Sequence, residues 1–168
     1  MWYEIRLIPV LVEEYPMDQI DARILRALQR DSSRPVAELA GEVGLSTSAC
    51  HRRVKLLEEA GVITGYAARL DREALGFPIQ VFVEITLSSQ SQEALNAFET
   101  AVMRFEEIPE CHLTTGQADY ILRVVARDVA DYDNIHRNCL ARLPGVSSMQ
   151  TIFVLRPIRE WQGYPIRG

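Results

Sequence analysis

The sequence has few of the features that mark a membrane or secreted protein. Its first apolar run is interrupted by Pro9 and closed by two glutamates, so it is too short to span a bilayer, and it lacks a small-residue cleavage site. The chain has only three cysteines, Cys50, Cys111 and Cys139, which are far apart in apolar surroundings. Such cysteines are typical of reduced, buried thiols rather than of a disulfide framework. We therefore expect a cytoplasmic protein.

The signatures of common enzyme classes are absent as well. The chain has no glycine-rich phosphate loop, no H-E-x-x-H and no C-x-x-C sequence, so we expect no enzyme, no metal and no other cofactor. The acidic cluster of Glu106, Glu107 and Glu110 favours a solvated surface over a metal site. His112 and His136 are each more typical of an ordinary surface or core histidine than of a ligand-binding residue.

Residues 35–55 have the spacing of two short helices joined by a glycine turn. Apolar residues at i, i+3, i+4 and i+7 predict one buried stripe on the first helix, and they are Val36, Leu39, Ala40 and Val43. Gly44 can adopt the left-handed conformation that ends this helix, and Leu45 can fill the corner. Ser46 is a suitable N-cap for the second helix, whose inward positions are Cys50, Val54 and Leu57. This layout is that of a helix-turn-helix.

The outward face of the second helix carries hydrogen-bonding and basic groups. Its residues, again at i, i+3, i+4 and i+7, are Ser48, His51, Arg52 and Lys55. Such a stripe can enter a DNA major groove, although a solvated helix face has the same spacing. Residues 47–57 contain three basic residues and no acidic one, while the whole chain has a net charge of −5. The positive charge is therefore local, and DNA binding would need a dimer to concentrate it.

The flanking sequence predicts a winged helix-turn-helix domain over residues 17–65. Asp18 can cap a helix that runs to Gln29, and this helix has its own apolar face. Three short helices would then share a core. Gly61 ends the last of them, and residues 62–70 look extended, as a wing strand would. Residues 1–16 are an N-terminal extension, either an arm that docks on the body or a stretch read through from a misassigned start.

From residue 78 onward the spacing is that of strands alternating with helices. It predicts strands at 78–88, 111–115, 120–126 and 146–155, and helices at 92–105 and 132–143. This order is the split βαβ arrangement of a ferredoxin-like domain. We therefore predict an α+β protein in which a linker strand and turn at 66–77 join the winged helix-turn-helix to a ferredoxin-like βαββαβ domain at 78–156. A tail follows at 157–168.

Five segments in this order resemble the Lrp/AsnC (feast/famine) family of transcriptional regulators: IDARIL, VGLSTSACHRRVKLLEEAGVITGY, VFVEITL, ECHLTTGQADY and RLPGV. The resemblance covers more than four-fifths of the chain. It implies a sequence-specific regulator that binds double-stranded operator DNA and responds to a small effector, usually an amino acid. It implies operator contacts at Ser46, Thr47, Ser48, His51, Arg52 and Lys55, with Arg53 on a phosphate.

The resemblance places the effector near a G-x-x-D-Y turn, which here consists of Gly116, Gln117, Ala118, Asp119 and Tyr120. Backbone amides beside Gly116 could receive a carboxylate, and Asp119 offers a partner for an ammonium group. An ordinary hairpin turn would use the same glycine and aspartate for the backbone alone. Ala118 is smaller than the aromatic residue often found there in the family, so the pocket would differ in size.

A four-stranded sheet with one helical layer leaves its other face uncovered. This favours sheet-to-sheet homodimers, and the family resemblance implies that dimers gather further, commonly into octamers. Two other functions remain open from the sequence. Sirohaem decarboxylases look like this family and use histidines near the substrate, although the basic stripe favours the regulator. An effector-independent DNA-architectural protein would use the G-x-x-D-Y turn only as structure.

Overall fold

The computed structural model describes residues 15–167, which form two compact units. The N-terminal unit contains the chain up to Ala68 together with residues 160–167, and the C-terminal unit is Arg69–Arg159. The expected N-terminal extension lies outside the described residues except for Tyr15 and Pro16. None of the helices formed by residues 15–167 is long and apolar enough to cross a bilayer.

Three helices build the N-terminal unit: α1 (Gln19–Arg30), α2 (Val36–Val43) and α3 (Thr47–Glu59). Asp18 caps α1, because its Oδ1 accepts hydrogen bonds from the backbone amides of residues 20 and 21, both at 2.8 Å. Gly44, with a φ of 74°, ends α2 in the left-handed region. Ser46 caps α3 by accepting a hydrogen bond from the amide of Ala49 at 3.3 Å. The helix-turn-helix and its caps are therefore confirmed.

One apolar core joins these helices. The inward residues of α2, namely Leu39, Ala40 and Val43, are at most 2% exposed. Cys50 and Leu57 of α3 are fully buried, and Leu45 packs against the same core. The burial of this stripe orients the opposite side of α3 toward solvent.

The predicted wing strand is wrong for the single chain. Residues 62–70 form no strand, and all of them except Ile63 are exposed. A strand needs a neighbouring strand to take its backbone hydrogen bonds, and the described part of the N-terminal unit contains none. The turn of the linker is present at residues 72–76, where Asp71 Oδ1 accepts a hydrogen bond from the amide of Ala74 at 2.8 Å.

The C-terminal unit has the predicted ferredoxin-like order. Its main elements are β1 (Ile79–Leu87), α4 (Gln92–Val102), β2 (Glu110–Leu113), β3 (Tyr120–Ala126), α5 (Val129–Asn138) and β4 (Val146–Phe153). The strands form one antiparallel sheet in the order β2-β3-β1-β4. One face of this sheet lies in the core, where Val81, Val83 and Ile85 of β1 are fully buried. The α+β fold class is confirmed.

Both helices of the C-terminal unit differ in extent from the prediction. α4 ends at Val102 because the chain continues in tight turns, in which the amide of Phe105 bonds the carbonyl of Val102 at 3.1 Å. α5 begins before the predicted start at residue 132, because Asp128 caps it by accepting from the amide of Asp131 at 2.7 Å. A separate 3₁₀ turn, Leu140–Arg142, follows α5.

The second face of the sheet carries a mixture of apolar and charged side chains. Phe82 and Glu84 of β1 point to this face and are half-buried. The register places Phe82 opposite Arg123 and Glu84 opposite Ile121 of β3. On the other side of β1, Phe82 pairs with Ile152 of β4, which is 41% exposed. This face is therefore apolar in part and also contains opposite charges.

Candidate DNA-binding face and effector turn

The outward face of α3 is open to solvent. Ser46 at the N-cap is exposed, as are five residues of the helix, namely Thr47, Ser48, His51, Arg52 and Lys55. We call these six residues the α3 face. Lys55 Nζ lies 3.6 Å from Glu59 Oε1, but the lysine side chain is 65% exposed, so this ion pair holds it weakly. The α3 face presents hydroxyl, imidazole, guanidinium and ammonium groups to solvent.

Arg53 has partners within its own chain. Its Nη1 donates to Asp18 Oδ2 at 2.7 Å and to Asp21 Oδ1 at 2.8 Å. The bonds to Asp21 and Asp18 raise the pKa of Arg53 above its ordinary value. Since Asp21 is almost fully buried, its carboxylate needs a cation beside it. Arg53 therefore links α3 to the N-terminus of α1 through Nη1, and its contact with a phosphate stays a prediction.

The G-x-x-D-Y turn divides into an outward and an inward part. Thr114 closes the turn: its Oγ1 donates to the carbonyl of Ala118 at 2.5 Å, and its amide donates to the carbonyl of Asp119 at 2.8 Å. Gly116 and Gln117 are exposed. The backbone amides of residues 115–118 donate no hydrogen bond to any atom of residues 15–167. These four amides are the available donors of the turn.

The conformation of the turn does not require a glycine at position 116. The φ of Gly116 lies outside the left-handed region, and a side chain added there would meet no atom within 4 Å. In the single chain, residues 114–119 therefore reverse direction without a positive φ.

Asp119 is buried, and both of its carboxylate oxygens are used within the C-terminal unit. Oδ2 accepts a hydrogen bond from the amide of Leu87 at 2.7 Å, and Oδ1 accepts one from Nε2 of Gln90 at 2.6 Å. The amide of Asp119 also donates to the carbonyl of Ile85 at 2.8 Å. The carboxylate thus anchors the turn to the end of β1 and to the loop that follows β1.

Tyr120 points from the turn into the core. Its hydroxyl donates to Glu99 Oε1 at 2.8 Å, and its ring centroid lies 4.5 Å from that of Phe98. Burial, followed by the bond to Glu99, raises the pKa of Tyr120 well above its ordinary value. Tyr120 lines a cleft of about 380 Å³ together with Glu99, Thr100, Val102, Met103, Cys111 and Leu113. The last two residues of the motif therefore serve the interior.

The three cysteines are separate free thiols. Burial raises the pKa of Cys50, that of Cys111 to about 11 and that of Cys139 to about 12, so all three are protonated at neutral pH. Within residues 15–167 no three histidine, cysteine or acidic side chains are grouped as metal ligands. Glu110 instead pairs with Arg123, at 3.1 Å between Oε1 and Nη2.

Sequence reasoning missed the two side chains that hold the inward part of the turn. Gln90 lies in the loop sequence SSQSQ, where nothing in its spacing marked it. The position of Glu99 on the inward side of α4 could have been predicted from its helical spacing. It is four residues after Leu95 and three before Val102, and these two apolar residues define the inward side of α4.

Comparison with known proteins finds both parts of the chain in one family. Residues 17–58 match the AsnC-type helix-turn-helix domain, and residues 80–162 match the Lrp/AsnC ligand binding domain. The leucine-responsive regulatory protein of Haemophilus influenzae is 41% identical over 144 residues, which is 86% of this chain and 87% of that protein. The likeness therefore covers both units.

Solved structures of regulators share this fold. A transcriptional regulator from Neisseria meningitidis, crystallised in complex with L-methionine, has a TM-score of 0.84 at 32% identity and covers 89% of this chain and 96% of its own. An AsnC family transcriptional regulator from Agrobacterium tumefaciens has a TM-score of 0.84 at 39% identity, with coverages of 89% and 97%. These relatives are regulators, so the decarboxylase alternative has no support. The chain belongs to the Lrp/AsnC family and is a DNA-binding transcriptional regulator rather than an enzyme.

Proposed function

We propose that this regulator reads operator DNA with the α3 face and senses an amino acid at the turn between β2 and β3. The support for the first part is the exposure of all six residues of the α3 face. Arginine forms paired hydrogen bonds with the O6 and N7 atoms of guanine, which suits Arg52 to base reading. Lys55 suits a phosphate. Arg53 supports the face indirectly, by holding α3 against α1.

The charge distribution favours binding as a dimer. The chain has a net charge of −5, whereas residues 47–57 contain three basic residues and no acidic one. Two copies of α3 would double the local positive charge and contact two half-sites about 34–36 Å apart, which is one turn of DNA, or a multiple of it. We therefore propose an operator with two half-sites.

The second face of the sheet is the surface that we propose for this dimer, with further gathering into octamers. Phe82 and Ile121 are half-buried there, and Ile152 is 41% exposed. Light scattering at micromolar concentration should give an oligomer for the wild type and a smaller species for Phe82→Glu. A monomeric wild type would contradict the proposal.

An α-amino acid is the effector that the chemistry of the turn favours. The observation that carries this proposal is the set of four backbone amides, residues 115–118, without acceptors in the described chain. Such amides can together receive a carboxylate. The relatives add support, since one is named leucine-responsive and another is crystallised with L-methionine. Both of these amino acids have apolar side chains.

Calorimetric titration tests the effector proposal. L-leucine or L-methionine should bind, and L-methioninol, which has an alcohol in place of the carboxylate, should bind at least about tenfold more weakly, or ~1.4 kcal/mol. Gln117→Pro removes one of the four amides, and its matched control Gln117→Ala keeps that amide. We expect weaker binding for the proline variant alone. Equal binding of methionine and methioninol would overturn the carboxylate site.

The alternative function, a DNA-architectural protein that needs no effector, predicts a different result in a screen of amino acids. In that case none of the twenty amino acids would change the melting temperature or the affinity for DNA. A ligand at a hundred times its Kd adds about 2.7 kcal/mol of stability, so a thermal-shift screen would detect a real effector.

We also place the protein in the cytoplasm, because its three free thiols suit a reducing compartment.

A further inference from the structure

The end of the chain, residues 160–167, belongs to the N-terminal unit although it follows the C-terminal unit in sequence. We call this segment the C-terminal strap. The side-chain amide of Gln29 on α1 bonds both backbone groups of Tyr164: Nε2 donates to the carbonyl at 3.0 Å, and Oε1 accepts from the amide at 2.7 Å. Arg26 Nη2 also donates to the carbonyl of Ile166 at 2.8 Å. The strap is thus held on α1 mainly through its own backbone.

The sequence of the strap fits this position. Gly163 has a φ of 98°, and a side chain added there would lie 2.3 Å from Gln29 Oε1. Only glycine can adopt this positive φ and also leave room for the Gln29 side chain without strain. Ile166 packs against the core of the N-terminal unit, and the rings of Trp161 and Tyr164 meet edge to face with centroids 4.6 Å apart. These contacts are independent of one another and favour the same docked conformation.

Docking of the strap changes the connection between the units. The chain leaves the N-terminal unit after Ala68, forms the C-terminal unit as Arg69–Arg159, and then returns to the N-terminal unit. The N-terminal unit is therefore tied to its neighbour at two points of the chain instead of one. A second tether reduces the range of orientations that a linked module can sample, and it raises the effective concentration of the favoured ones.

The described contacts of the strap include three hydrogen bonds with side chains of α1 and one aliphatic side chain in the core of the N-terminal unit. Trp161 and Tyr164 stay largely exposed in the docked state. The contacts also avoid the six residues of the α3 face. The strap can therefore affect DNA binding without touching DNA.

We propose that the C-terminal strap is a second tether of the N-terminal unit, and that its docking site on α1 pre-orients the α3 face for an operator with two half-sites. An operator with two half-sites demands a fixed spacing between two α3 helices, whereas a single half-site demands none. The strap should therefore matter for the complete operator and not for one half-site. The inference rests on the proposed two-half-site binding.

Two variants of the full-length protein undock the strap, and one serves as a control. Gly163→Ala introduces the clash with Gln29, and Gln29→Ala removes both bonds to Tyr164. Gly145→Ala is the matched control, since Gly145 has a φ of 74° but its added side chain would meet nothing closer than 4.0 Å. Hydrogen exchange at the Tyr164 amide measures docking directly. It should be slow in the wild type and in the control, and at least about tenfold faster in both strap variants.

Titrations with a selected operator and with one isolated half-site then test the consequence. Both strap variants should bind the complete operator at least about fivefold more weakly and the half-site within twofold of the wild type. Unprotected exchange at Tyr164 in the wild type would overturn the docking, and unchanged operator affinity in both strap variants would overturn the tether. Arg52→Ala serves to separate a loss of DNA contacts at the α3 face from a loss of the tether. This variant should weaken binding to both DNA fragments, whereas the strap variants should weaken binding to the complete operator alone.

Discussion

The α3 face and the turn between β2 and β3 match motifs of one family, but they use their residues differently. All six residues of the α3 face are exposed. In the turn, Gly116 and Gln117 are exposed, while Asp119 and Tyr120 are buried and bonded within the chain. A motif on a helix separates contact residues from core residues by periodicity. A motif in a turn can combine residues that meet a ligand with residues that only shape the turn.

The same contrast exists between two neighbouring arginines of α3. Successive residues of a helix point about 100° apart. Arg52 is exposed, and Arg53 is directed to Asp18 and Asp21 at the start of α1. Two guanidinium groups that are adjacent in sequence therefore have different surroundings, since one is exposed to solvent and the other is bonded inside the N-terminal unit.

The largest effect that we predict is the destabilisation caused by Arg53→Ala. This change leaves the nearly buried carboxylate of Asp21 without its cation. Breaking such a pair by removing one partner costs about 3 kcal/mol, the low end of the range for buried pairs, because Arg53 is partly exposed. Urea unfolding of this variant and of Arg52→Ala measures the difference. A loss below about 0.5 kcal/mol for Arg53→Ala, as is usual for a surface substitution, would contradict its internal role.

Asp119→Ala should have the next largest effect, and it should act on stability. The amide of Leu87 loses its acceptor and stays buried, which costs about 2 kcal/mol. Asp119→Asn is the matched control, since it retains an oxygen for this amide. Thermal unfolding should rank the wild type above the asparagine variant and the asparagine variant above the alanine variant. If the wild type and both variants were equally stable and both variants lost ligand binding, Asp119 would instead be a residue that binds the effector.

How far the sequence predicts these sites depends on the distance between the residues involved. Caps such as Ser46 and alternating residues such as Val83 act within a few positions, so their roles follow from local spacing. The bonds between Arg53 and Asp21 and between Asp119 and Leu87 each join residues 32 positions apart. Local spacing contains no information about such pairs. The wing at residues 62–70 failed for a related reason, because an extended sequence forms a strand only where a partner strand exists.

The smallest effect that we predict is a dependence on pH in the C-terminal unit. The side chain and backbone amide of Arg127 hold the pKa of Asp131 at about 2, below its ordinary value of 3.8. A carboxylate with a lowered folded pKa adds stability above its ordinary pKa, and this stability is lost as the pH falls through the folded pKa. The melting temperature of the protein should therefore decrease as the pH is lowered from about 4 to about 2. Asp131→Asn should weaken this dependence, and an unchanged profile would contradict the pairing.

The measurement that tests the central claim most directly is a DNA titration of Arg52→Ala against Arg23→Ala. Arg23 is an exposed arginine of α1 outside the α3 face, so it controls for the loss of one positive charge. If Arg52 reads a base, its removal costs about 1–3 kcal/mol, which is about 5- to 150-fold in affinity, and relaxes specificity at one operator position. Arg23→Ala should stay within about twofold of the wild type. Equal affinities of the two variants would remove Arg52 from the interface and contradict the assignment of the α3 face.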